Sequence, residues 1–99
     1  MDLSYDPAKD RRNVALRGLS FELARDFDWA SATVVEDVRR QYGERRFQAT
    51  GNIATRLHVV VFTIRAGKTH VISLRKANER EIHRHESFAS QTETRSDAD

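Results

Sequence analysis

Residues 57–76, LHVVVFTIRAGKTHVISLRK, constrain this chain more than any other stretch. Two runs of Val, Ile, Phe and Thr flank a short polar break at Arg65-Ala66-Gly67-Lys68. β-Branched and aromatic residues suit a pleated, half-buried surface, and Gly67 offers a turn position with positive φ. The pattern predicts an antiparallel hairpin in which Ile64 faces Thr69, Phe62 faces Val71, Val60 faces Ser73 and His58 faces Arg75. Side chains alternate across a strand, so Leu57, Val59 and Val61 share the other face with Lys76, Leu74 and Ile72 and form the expected core floor. The first face is mixed, and His58, Ser73 and Arg75 gather at its far end.

The flanking sequence supplies the remaining elements. Asp6-Pro7 opens a helix as N-cap and first helical residue, and Gly18 closes it. Ala8, Val14, Ala15 and Leu16 form its expected buried side. Ser20 caps a second short helix over 21–27, where Phe21, Ala24 and Phe27 recur at helical spacing. Strands are expected over 32–38 and 44–52, joined by a polar connection at 39–43, with a turn at Gly51-Asn52. Asn78 caps a last helix over 79–88, and 89–99 is almost without apolar residues, an expected disordered tail. The predicted order is α-α-β-β-β-β-α, an α+β fold whose antiparallel meander sheet carries helices on one face.

At 99 residues the chain is long enough for one modest core. It has no cysteine, which excludes disulfides and thiolate metal sites. No apolar run is long enough to span a bilayer and MDLSYDPAKD has no signal-like hydrophobic region, so the expected location is the cytoplasm. Four acidic residues and one Arg after position 85 make −3, so the first 85 residues carry +5 of the net +2. Fourteen of the 17 cationic residues are Arg, whose planar guanidinium matches phosphate and carboxylate. That surface suits a nucleic acid or an acidic protein partner equally.

No familiar cofactor pattern is present. His83 and His85 stand two apart on the predicted helix and point about 200° from each other. There is no glycine-rich phosphate loop, and Ser73 has none of the neighbours of a serine nucleophile. What remains is Lys9, Glu44, Arg46, His58, Arg75 and Lys76, an acid/base and cationic set needing no cofactor. The plainer reading of Glu44 and Arg46, two apart on a strand, is a solvated ion pair of little weight. Together the set also meets the needs of RNA cleavage without a metal: a base for the ribose 2′-hydroxyl, cations for the phosphorane and an acid for the leaving oxygen.

Three pieces in order give a family resemblance. They are Tyr5-Asp6, Lys9 and Asn13 with Arg17-Gly18-Leu19-Ser20-Phe21 and Ala24; then Asp37, Glu44, Arg46 and Gly51; then Ile72-Ser73-Leu74-Arg75-Lys76-Ala77 with Glu81. In these the chain resembles the BrnT family of type II toxins, within the RelE-like toxin group. The resemblance implies a small ribonuclease that inhibits translation, built as a compact sheet with flanking helices. It implies a DNA-binding, BrnA-like antitoxin as partner. Lys9, Glu44, Arg46 and Arg75 carry over as catalytic, with Lys76 as a lesser phosphate contact; Tyr42 and His58, where the chain departs from the family pattern, are the further expected substrate contacts. A catalytically weak homologue that binds antitoxin and co-represses the operon is the alternative. The expected domain is 1–88.

Overall fold

The computed structural model describes residues 1–38 and 43–98, with side chains described as far as Phe88. The elements are β1 (Leu3–Tyr5), α1 (Pro7–Arg17), a 3-10 helix (Phe21–Arg25), β2 (Thr33–Asp37), β3 (Arg46–Ile53), β4 (Arg56–Arg65), β5 (Lys68–Lys76) and α2 (Glu79–Ala98). They form one five-stranded sheet in the order β1-β5-β4-β3-β2. The α+β class and the four-strand meander are as predicted, but the sheet is mixed. β1, three residues with no alternation to reveal them, pairs in parallel with β5, Ser4 opposite His70. The helices are not all on one face: the 3-10 helix packs on the core side, α1 lies along the β5 edge and α2 reaches the other face. α2 runs on past the end of its apolar pattern, to Ala98.

The core is a cluster of Phe21, Ala24, Phe27, Ala49, Val60, Phe62, Val71 and Leu74. An edge-to-face series links Phe27, Trp29 and Phe62, and Phe62 stacks on Phe47. Of the expected floor, Leu74 belongs to this cluster and Val59 is fully buried, but Val60, Phe62 and Val71, expected on the other face, make up the rest of the hairpin's share of the core. Pairing follows the prediction from Arg65–Lys68 to Phe62–Val71, after which β5 carries one extra residue, Ile72. Val61 then meets Ser73, Val60 meets Leu74 and Val59 meets Arg75. A β-bulge of this kind shifts the alternation of everything beyond it. Leu74 turns into the core beside Val60, and Arg75 turns to the other face beside Val59.

α1 is anchored by polar groups, contrary to the expected apolar side. Val14 and Leu16 are 44% and 75% exposed, and the buried residue of this helix is Asn13. Asn13 Nδ2 donates to the carbonyls of Leu19 and Leu74, both at 2.8 Å. Asp10 accepts from the Phe21 amide at 2.7 Å, and Arg17 donates to Asn13 Oδ1 and Ser73 Oγ. β1 is too short to cover β5 beyond Val71, so α1 satisfies that strand edge instead. The opposite edge, β2, leaves Val34 and Val35 about half exposed, and Arg45 bridges to Glu36 across it.

Gly51 is not the predicted turn but an interior residue of β3; the turn falls at Ala54-Thr55 between paired Ile53 and Arg56. A Cβ at Gly51 would lie 2.8 Å from Phe27 Cζ and 3.2 Å from Ala32 Cβ. The glycine lets the segment after the 3-10 helix close on the sheet, where the Asp28 amide donates to the Asn52 carbonyl. Gly51→Ala should destabilise the fold by about 1–3 kcal/mol through this overpacking, seen as a lower denaturation midpoint with an unchanged circular dichroism spectrum.

Candidate active site

The register defines the sheet face turned away from the core. Thr33, Thr50, Val59 and Arg75 form one row across it; Val35, Gln48, Val61 and Ser73 form the next. Asp37 and Arg46 begin a third, and Thr63, His70 and Ser4 complete that end. α2 lies over the first rows, where Glu81, Arg84 and His85 line a small cavity with Thr33, Val35, Gln48 and Thr50. Thr33 Oγ1 and His85 Nδ1 are hydrogen-bonded there at 2.8 Å.

The other end of this face is more open and carries a continuous polar array. Arg65, last residue of β4, grips Glu44 with Nη2 at 2.6 Å and Nε at 3.1 Å. Its remaining terminal nitrogen, Nη1, lies 3.0 Å from His70 Nε2. The opposite ring nitrogen of His70 lies 2.9 Å from Ser4 Oγ. A guanidinium can only donate, so Nε2 accepts and Nδ1 carries the proton directed at Ser4. Arg65 and Glu44 retain 49% and 28% side-chain exposure, so the array is open to a ligand.

Charge follows the same geometry. The Arg65 hydrogen bonds hold the Glu44 carboxyl below its usual range, with Arg46 and His70 adding to the effect against a desolvation cost. Glu44 is therefore a settled carboxylate. Partial burial lowers the His70 pKa, helped by Arg65 and Lys9 and opposed by Glu44 and Asp6. Lys9 reaches this end from α1, in a shallow groove with Arg17, Ile72 and Ser73.

The expected site residues divide accordingly. Glu44 and Arg46 belong to the open end, with Lys9 at its border. Arg75 shares the face but stands two strands and four residues from Arg46, a backbone separation of about 16 Å. Lys76 is exposed opposite His58, on the side of the strand away from Arg75. His58, expected at the substrate, is instead 5% exposed on the core face, its Nδ1 2.8 Å from the Arg56 carbonyl. Tyr42 lies outside the described residues. Arg65, His70 and Ser4 were missed, although pairing Ile64 with Thr69 already sets Thr63 against His70 on the face of Arg46. Among the described residues no three His, Asp or Glu side chains gather to hold a metal ion, and no helix is long and apolar enough to cross a membrane.

Arg75 is fixed by α2. Its Nη1 and Nη2 each donate to one oxygen of Glu81 at 2.8 Å. Glu81 Oε1 also accepts from the Asn78 amide, while Asn78 Oδ1 accepts from the Glu81 amide, both at 2.9 Å, a reciprocal cap at the start of the helix. The Arg75 hydrogen bonds lower the Glu81 pKa from 4.5 to about 2, outweighing burial. A depressed carboxyl stabilises the fold above its unfolded pKa, and that contribution disappears as pH falls from 4.5 towards 2. Glu81→Gln should therefore cost on the order of 2 kcal/mol at pH 7 and little at pH 2, measured by denaturation at the two pH values.

The model of a family described as "Ribonuclease toxin, BrnT, of type II toxin-antitoxin system" matches residues 5–81, from the last residue of β1 to the Glu81 that holds Arg75. Curated proteins yield no match. The family match spans all of the meander, the polar array except Ser4, and the α1 anchor, and on it this chain belongs to the BrnT family of ribonuclease toxins of type II toxin–antitoxin systems.

Proposed function

We propose that the chain is a metal-independent endoribonuclease that blocks translation in the cytoplasm, cutting RNA by attack of a ribose 2′-hydroxyl on the neighbouring phosphate. The observation that supports this most is the gathering of Glu44, Arg46 and Arg65 at the open end of one sheet face, with Lys9 at its border. Guanidinium groups facing a phosphodiester stabilise the charge that grows on its oxygens, and the nucleophile comes from the RNA itself. Arg46 and Arg65 are assigned to the scissile phosphate. Arg75, about 16 Å from Arg46, is assigned to a phosphate further along the strand. Glu44, held as a carboxylate, orients Arg65.

The catalytic domain is taken to end near residue 88, in a RelE-like arrangement. Its partner is a small DNA-binding, BrnA-like antitoxin that covers the same cationic face, favoured by charge complementarity. A second reading, an antitoxin-binding co-repressor with little catalysis, draws on the internal ion pairs of Glu44 and Arg75. One assay separates the two. Arg46→Ala should reduce RNA cleavage by the purified chain by about a hundredfold or more and relieve growth arrest on expression, with thermal stability retained. Arg75→Ala should act mainly through KM. A wild-type chain that binds the antitoxin but cleaves no RNA would favour the co-repressor.

A further inference from the structure

We infer that His70 is the group that receives the ribose 2′-hydroxyl proton, with Arg65 passing from the imidazole to the scissile phosphate when RNA binds. This deepens the ribonuclease reading above and rests on it.

Three features of the array support the assignment. The first is orientation. Parallel pairing of β1 with β5 sets Ser4 directly opposite His70, where Ser4 Oγ accepts from Nδ1 in the tautomer that the Arg65 donor at Nε2 selects. The second is the nature of the group at Nε2. A guanidinium bonded to a neutral imidazole gains far less than one bonded to an anion. Arg65 Nη1 is therefore an exchangeable occupant, while Glu44 keeps hold of Nη2 and Nε. An incoming phosphodiester offers Nη1 a stronger acceptor and leaves Nε2 exposed beside that phosphate, where the adjacent 2′-hydroxyl lies.

The third is proton affinity. Glu44 is held too acidic to be an effective base near neutral pH, whereas imidazole titrates close to it. The charged groups around His70 are Arg65 from β4, Lys9 and Asp6 from α1 and its cap, and Glu44 from the segment before β3. With partial burial they leave the ring neutral at pH 7 and ready to accept a proton.

The step balances without a co-reactant. The 2′-hydroxyl proton moves to His70 Nε2 as the 2′-oxygen bonds to phosphorus. The bond from phosphorus to the 5′-oxygen breaks, its electron pair leaves with that oxygen, and solvent protonates it. The products are a 2′,3′-cyclic phosphate and a 5′-hydroxyl end; the imidazolium then returns its proton to solvent.

The test uses the full chain and a defined RNA, with kcat and KM measured from pH 5 to 8.5. Wild-type kcat should rise with pH through an apparent pKa below 6.5 and then level off. His70→Ala should lower kcat by about a hundredfold or more, leave KM within about threefold, lose the acidic limb and regain part of its rate with added imidazole. Ser4→Ala, which removes the partner of Nδ1, should lower kcat less and shift the limb. If His70→Ala does not fold, as judged by thermal melting, His70→Gln carries the same expectations apart from the rescue. Wild-type cleavage with an unchanged rate or an unchanged acidic limb in the folded variant overturns the assignment to His70 alone. A wild type that cleaves no RNA overturns the ribonuclease reading and this inference with it.

Discussion

The extra residue in β5 decides which side chains reach the open sheet face and which meet the core. Up to Val71 the central hairpin is regular, with Phe62 and Val71 together in the interior. Without Ile72 as a bulge, continued alternation would carry Ser73 and Arg75 inward and Leu74 outward. One inserted position places Leu74, fully buried, against Val60 and sends Arg75 to the face where Glu81 and the start of α2 receive it. Burying an unpaired guanidinium would cost several kcal/mol. Apolar burial and charge thus favour the same shifted register.

The edge of the sheet depends on a second arrangement, polar rather than apolar. β1 pairs with only the first part of β5, and Asn13 takes over where β1 stops by donating to the Leu74 carbonyl. The same amide reaches the Leu19 carbonyl, and Asp10 receives the Phe21 amide, so one helix turn secures both the strand edge and the start of the 3-10 helix. This explains how α1 remains in place with Val14 and Leu16 in solvent. It also holds Lys9 beside the polar array.

Much of this was legible in the sequence where the cause is local. The Asp6-Pro7 opening and Gly18 stop of α1 follow from capping chemistry, and the helix begins and ends there. The hairpin turn is where Gly67 indicated, with Ala66 also at positive φ. The family resemblance rested on spaced motifs and is matched. The bulge was not legible, because Val-Ile-Ser-Leu-Arg alternates acceptably in either register until the other elements decide. β1 was hidden because its partner is 66 residues away, and Gly51 read as a turn because its role is a close approach by Phe27. Glu44 and Arg46 were visible as neighbours. Arg65 and His70 were not, since charges beside a hairpin turn read as ordinary solvated ends.

The exposed valines of β2 bear on how this molecule behaves at high concentration. A strand bordering solvent presents a row of unsatisfied amides and carbonyls, which invites another chain to extend the sheet. Here the ion pair between Arg45 and Glu36, together with Asp37 at the strand end, sets charge along that border. Val34 and Val35 stand on opposite faces of that border, so a strand added there would have to pass the paired charges of Arg45 and Glu36 to reach either of them.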